Sequence, residues 1–318
     1  LVLPPPGGDV IGRRRVDTHV LALEKLGATF RFNGVFDFKS ERLIGADILL
    51  DEASVTATEN TIMAAVLAKG TTTIRNAASE PHIQELCHFL NRLGAKIDNI
   101  GSNRINIDGV ERLKGTEFTI GPDYLEVVSF IGAAVVTKGN IRIKNAGVKY
   151  LDMIRLVFRR LGVDFDFIGD DVLVSPNQRM VIEPDFGNVI PEISVMPWPA
   201  FPSDLMSIAI VIATQAQGSV LFHDWMYPSR MYFTDKLVGM GAQIVLCDPH
   251  RCIVQGPTRL YPEKLESPDI RAGMALLLAT LAVPGKSVIR NISQIERGYE
   301  RVDEKLRALG ARIERVEA

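Results

Sequence analysis

Cysteine is scarce in this chain, with 3 in 318 residues. Three thiols cannot staple a disulfide framework, so a reducing, cytoplasmic setting and a fold held by its hydrophobic core are expected. An excess of either charge is also missing: 36 Lys+Arg stand against 38 Asp+Glu, a formal net charge of -2. Nucleic acid as the main partner would call for a basic face over a whole domain, so that class is set aside. Long apolar runs are absent too. The longest, Met274 to Val283, has ten residues, against the ~20 of a membrane span. Gly-x-Gly-x-x-Gly, P-loop and Gly-x-Ser-x-Gly sequences do not occur, which leaves a dinucleotide fold and an α/β-hydrolase unsupported. His19, His82 and His223 are scattered and form no triad. What is present is an ordinary globular composition, 47% hydrophobic, at a length that suggests two domains.

The strongest positive signal is a repeat. Leu26-Gly27-Ala28 recurs as Leu93-Gly94-Ala95, Leu161-Gly162-Val163, Met240-Gly241-Ala242 and Leu309-Gly310-Ala311, with the glycines 67, 68, 79 and 69 residues apart. Each closes a helical pattern carrying Lys or Arg and precedes a short alternating stretch, so it reads as a helix ended by a C′ glycine and then a strand. A second mark lies between them. Gly70, Gly139, Gly218 and Gly285 each follow an apolar helical run and precede a β-rich stretch, 24, 23, 23 and 25 residues before the next Leu-Gly-Ala glycine. One such ending would be uninformative, but two kinds in register define a βαβαββ module of about 70 residues. Four whole units and the second half of another are expected. The chain opens on Leu1-Val-Leu-Pro-Pro-Pro-Gly-Gly in mid-unit, without an initiator Met, and modules that bury their faces on neighbours do not normally begin halfway. The expectation is an N-terminally incomplete chain.

Several segments carry possible chemistry. Gly7 to Asp17 is a glycine-punctuated loop with one acid and three arginines, running into a helix Asp17–Leu26. It suits an anion lid as well as an ordinary surface loop. Pro202-Ser203-Asp204 precedes an apolar helix, Leu205–Ala213. Ser203 or Asp204 reads as an N-cap there, and Asp204 equally as a general base if partial burial raises its pKa. Arg230, Arg271 and Arg297 lie at element edges with related offsets, and only their convergence would make an anion site. Cys247 to Cys252 fits a hairpin between Gln243–Leu246 and Ile253–Gln255 better than a metal site. Cys87 and His88 fall on the helix before Gly94 as packing residues.

Specific stretches resemble the enolpyruvyl transferases along the whole chain. They are Gly7-Gly-Asp9-x-Ile-Gly-x-Arg14-x-Val-Asp17, Ser54-Val55-Thr56-Ala-Thr-Glu-Asn60, Asn76-Ala-Ala-x-Glu80-Pro, Gly109-Val-Glu-Arg112-Leu, Phe201-Pro-x-Asp204, Asp269-x-Arg271-Ala and Glu296-Arg297-Gly-Tyr-Glu-Arg301. The resemblance implies an α/β fold, an inside-out α/β barrel of repeated βαβαββ units in two lobes, with helices inside and sheets outside. Residues 1–121 would be the remainder of the first lobe, half a unit plus one whole unit, and residues 122–318 the three units of the second. Six family units imply that about 110 residues are missing before Leu1, that both lobes carry an unfilled sheet edge, and that the chain alone is inactive.

The implied reaction moves the enolpyruvyl group of phosphoenolpyruvate to the 3′-hydroxyl of UDP-N-acetylglucosamine and releases phosphate, the first committed step of peptidoglycan synthesis. No metal or organic cofactor, no nucleic acid and no membrane insertion are implied. By position, Asp9 resembles the proton-donating loop residue, usually cysteine, and its replacement implies insensitivity to fosfomycin. Asp204 resembles the base. Arg14, Arg15, Val16, Asp17 and Thr18, with Glu52, Ser54, Val55 and Thr56, resemble the segments around the uridine diphosphate, and Met226 and Asp269 belong to the substrate contacts. Arg271 and Arg297 resemble the arginines on phosphoenolpyruvate, and Arg230 a further closed-state contact. Departures from the family pattern include Arg15, Thr18, Glu52, Thr56, Tyr124 and Met206-Ser207. Two alternatives stand beside this reading: a non-catalytic UDP-sugar-binding paralogue, and the shikimate-pathway enolpyruvyl transferase.

Overall fold

The computed structural model describes residues 1–8, 11–12 and 15–316, which divide into two compact units. One comprises Leu1–Gly8, 15–121 and Pro197–Pro199, the other 11–12, Pro122–Met196 and 200–316.

The repeat is visible in the strand order. In the first unit, strands Asp47–Leu49, Thr71–Arg75, Arg104–Asp108 and Lys96–Asp98 form one sheet in that spatial order. The first two are parallel, because the helix Val55–Ala65 crosses between them, and the rest are antiparallel. The helix Pro81–Arg92 precedes the final hairpin. In the second unit Glu192–Ser194, Gly218–His223, Arg251–Gly256 and Gln243–Asp248 repeat the order and the directions. The expected hairpin around Cys247 and Cys252 is the last pair of that sheet.

Among the described residues two modules are thus complete, where four were expected. The module of Gly139 shows three strands, Ile141–Ile143, Asp171–Val174 and Asp166–Ile168. The module of Gly285 shows only the parallel pair Lys264–Glu266 and Val288–Arg290. Residues 311–316, which alternate like a strand, form none. The reason is pairing: in the complete modules this strand bonds only to the hairpin partner that follows it, and no described residue supplies one here. The remaining sheet, in the first unit, runs Val2–Leu3, Phe36–Lys39, Thr29–Phe32.

The five Leu-Gly-Ala marks are all helix ends. Gly27, Gly94, Gly162, Gly241 and Gly310 have φ of 94°, 100°, 75°, 101° and 103°, a region glycine enters without a Cβ penalty. Each following residue donates its N–H five positions back, as Ala28 to Leu23 (3.0 Å) and Ala95 to Leu90 (3.0 Å) do, which closes a Schellman motif.

The centre of the second unit is made of helices. Tyr124–Thr137, Met206–Gln215 and Ile270–Leu281 come from three modules and pack on one another. Nine of the ten residues of Met206–Gln215 are buried, consistent with a helix apolar on every side. A Cβ on Gly132 would meet Ile208 and Leu278 atoms at 2.8 Å, so glycine here sets how closely the helices approach. The first unit has its own core, including Ile48, Ile62, Ile74, Ile83 and Ile105. Among the described residues, no helix is long and apolar enough to cross a membrane.

Candidate functional site

In the second unit, charged side chains gather where elements begin and end. Asp204 lies in the short turn Ser203–Leu205 that leads into the buried helix Met206–Gln215. Neither Ser203 nor Asp204 caps that helix: no side-chain cap bond is made at the turn or at the helix start. The N-cap reading is therefore corrected. The Ser203 hydroxyl donates to the Asp224 carboxylate, and Asp204 is held by two arginines. Arg230 Nη2 donates to Asp204 Oδ1 at 2.9 Å, and Arg271 Nε to Oδ2 at 3.2 Å. The condition attached to the general-base reading, a pKa raised by burial, is not met in the free protein. Burial opposes ionisation of Asp204, but Arg271 and then Arg230 outweigh it and hold the carboxyl below the usual carboxylate range.

Arg271 is placed by a helix start. Asp269 N-caps Ile270–Leu281, accepting from Arg271 N (2.9 Å) and Ala272 N (3.0 Å). The Ser207 hydroxyl donates to the Arg271 carbonyl at 3.1 Å, and the guanidinium lies over the Tyr299 ring, 5.4 Å from its centroid. The buried Tyr299 hydroxyl is fixed by Ser129 at 2.9 Å. Burial works against the charge of Arg271, yet Asp204 and Tyr299 together raise its pKa. Nη1 of Arg271 is buried and has no hydrogen-bond partner among the described residues, a donor ready for an anion.

Arg230, expected as a further closed-state contact, is buried among acids. Its side chain is 1% exposed, 3.9 Å from Asp224 and 3.9 Å from Asp269 as well as bonded to Asp204, and it lies against the Tyr227 ring. Of the three arginines, Arg230 and Arg271 meet at Asp204. Arg297 is exposed at the end of helix Ser293–Glu296, with Nη1 donating to Gln294 at 3.1 Å. Met226 is half-buried, and its N–H reaches Asp224 at 3.0 Å.

The first unit holds the other expected segment. Ser54 N-caps Val55–Ala65, its hydroxyl accepting from Ala57 N at 3.3 Å. Arg15 Nη2 donates to Asp51 at 2.6 Å, and the Thr18 hydroxyl donates to the same carboxylate at 2.7 Å. These two bonds hold Asp51 below the usual range. Asp17 (3.5 Å) and Glu52 (3.7 Å) also lie near Arg15. Thr56 and Asn60 hold the two nitrogens of His19, at 3.2 and 2.8 Å, and burial lowers the pKa of that ring. An open groove of about 870 Å³ runs along Val16, Asp17 and Val20 and along Phe30, Phe32 and Phe36. Asp9 and Arg14 lie outside the described residues.

Burial pushes the thiols of Cys87 and Cys252 up to about 12, which makes both poor nucleophiles at neutral pH. Asp224 was not singled out from the sequence, although a signal was present. Along Gly218–His223 the buried positions alternate as Val220 and Phe222, and Asp224 continues that face with no exposure. A carboxylate in register with core residues is a site candidate.

The profile of the family described as EPSP synthase (3-phosphoshikimate 1-carboxyvinyltransferase) matches residues 2–306. The chain is 55% identical to the UDP-N-acetylglucosamine 1-carboxyvinyltransferase of Treponema denticola over 98% of its length and 74% of that protein. It is 56% identical to the protein of the same name from Bradyrhizobium diazoefficiens, over 99% and 73%. Among solved structures, the enolpyruvyl transferase NikO from Streptomyces tendae is similar at TM-score 0.83 and 27% identity, covering 93% of this chain and 71% of that one. An EPSP synthase from Acinetobacter baumannii, at TM-score 0.71 and 18% identity over 98% and 74%, shares the fold. The chain thus spans about three quarters of the curated relatives' length. That span locates no missing segment and by itself supports neither the expected N-terminal truncation nor the inactivity expected from it.

Proposed function

The chain belongs to the enolpyruvyl (1-carboxyvinyl) transferase family, and from that premise we propose that it transfers the enolpyruvyl group of phosphoenolpyruvate to the 3′-hydroxyl of UDP-N-acetylglucosamine. The observation that carries the chemistry is Asp204 shared between Arg230 and Arg271. The choice of acceptor rests on the name borne by relatives more than half identical to this chain.

In this reading an incoming phosphoenolpyruvate anion takes Arg271, whose buried Nη1 has a hydrogen yet to donate. Exchange of the arginine for the substrate raises the basicity of Asp204. Asp204 then accepts the hydroxyl proton as the sugar oxygen bonds to C2 and C3 takes up a proton. Loss of a C3 proton and of phosphate from the tetrahedral adduct restores the double bond and leaves an enolpyruvyl ether. Arginines facing the phosphate and carboxylate supply charge where it develops. Arg297 is assigned to the same anion, Asp9 to the C3 proton, and the Arg14–Thr18 and Ser54–Thr56 segments with Met226 to the nucleotide sugar. Asp9 in the cysteine position carries insensitivity to fosfomycin with it, since a carboxylate is a poorer nucleophile than a thiolate. A role in peptidoglycan synthesis in the cytoplasm follows from the proposed product and agrees with the three free cysteines.

The test is release of inorganic phosphate from phosphoenolpyruvate with UDP-N-acetylglucosamine, or with shikimate 3-phosphate in its place. Release with the nucleotide sugar alone is expected. Release with shikimate 3-phosphate alone would give the acceptor to the other branch of the family. Binding of UDP-N-acetylglucosamine by calorimetry without any release would mark a non-catalytic binder.

A further inference from the structure

Arg230 has a difficulty that the proposed reaction creates. Its guanidinium is buried, and stripping a buried charge of its partner is strongly destabilising. Among the described residues its guanidinium is hydrogen-bonded to Asp204 alone, at 2.9 Å, and Asp204 must leave to meet the acceptor hydroxyl. Two further carboxylates face it, Asp224 at 3.9 Å from Nε and Asp269 at 3.9 Å from Nη1. Asp269 is already committed as the cap of Ile270–Leu281. Asp224 is completely buried and bonded through both oxygens. Oδ1 accepts from Met226 N (3.0 Å) and Tyr227 N (3.2 Å), and Oδ2 accepts from the Ser203 hydroxyl. Its backbone carbonyl accepts from His250 Nδ1 at 2.7 Å. It cannot follow Asp204 when that residue moves.

We infer that Asp224 is a positioning residue for the reaction, a fixed counter-charge that keeps Arg230 in place while Asp204 exchanges partners. The inference rests on the transferase reading given above. The purely structural alternative is that Asp224 only makes the turn into Met226 and Tyr227. Asparagine separates the two, because its carbonyl oxygen still accepts from both N–H groups and only the charge is lost.

The experiment compares the protein with Asp224→Asn. The charged groups that set the outcome are Arg230 and Arg271 on Asp204, Asp224 and Asp269 on Arg230, and Tyr299 beside Arg271. Without the Asp224 charge, more of the field of Arg230 falls on Asp204, which becomes harder to release and less basic. The expected result is a fall in kcat of about tenfold, an acid limb of kcat/KM displaced to lower pH, and an unchanged KM for UDP-N-acetylglucosamine. An unmoved pH profile overturns the inference, whatever happens to kcat.

A urea-unfolding cycle with Arg230→Met covers the case in which the single variant folds poorly. If Asp224 acts through the charge of Arg230, the double variant recovers stability that either single variant loses. Losses that simply add, or a double variant that also fails to fold, overturn it. Should the unsubstituted protein release no phosphate, the transferase reading has failed, while the unfolding cycle still decides whether the two residues are coupled.

Discussion

Asp204 ties catalysis and stability to one carboxylate. Its pKa is held down in the folded chain by Arg271 and Arg230 against the cost of burial. The stability this contributes is present above the unfolded carboxyl pKa of about 4 and is lost as pH falls through the lower folded value. Asp204→Asn should therefore lower turnover by about 10²–10⁴, leave UDP-N-acetylglucosamine binding nearly intact, and reduce the urea midpoint at pH 7 but not well below pH 4. A midpoint difference that persists unchanged at low pH would assign the stability effect to something other than the ion pairs. The sequence hid this arrangement. A Ser-Asp step before an apolar run is what an N-cap looks like, and the arginines that claim the acid stand 26 and 67 positions away. Related offsets likewise could not reveal that Arg230 is buried and Arg297 exposed. Asp224 was legible through strand register, and Tyr299 was quoted in a motif without its contact to Ser129.

At the scale of single elements, the helix endings were the part written most openly in the sequence. A left-handed C′ residue is nearly a requirement for glycine, so five copies of Leu-Gly-Ala or its near variants could be read as five helix ends. Strands were less legible, because a strand exists only when a neighbour pairs with it, and alternation in 311–316 says nothing of whether one is there. The glycines also differ in a way no pattern shows. At Gly94 a Cβ would meet nothing within 4 Å, whereas at Gly162 it would stand 2.3 Å from Val181 N. Gly94→Ala should cost about 1 kcal/mol, the strain of φ 100° alone. Gly162→Ala should cost clearly more, since backbone must also shift. Chemical denaturation of the two variants checks this, and equal losses would mean that the Val181 segment yields freely.

Across the whole molecule, each unit carries its own core, and in the second unit that core is shared by three modules. Tyr124–Thr137, Met206–Gln215 and Ile270–Leu281 each bury most of their residues. Segments that can only be buried together open together, and amide deuteration reports such openings. The N–H groups of these three helices should therefore exchange slowly and as one block, although 132 residues lie between Thr137 and Ile270. Gly132→Ala, which forces Ile208 and Leu278 apart, should speed deuterium uptake in all three at once. Uptake accelerated only in Tyr124–Thr137 would show that each module keeps its helix by itself.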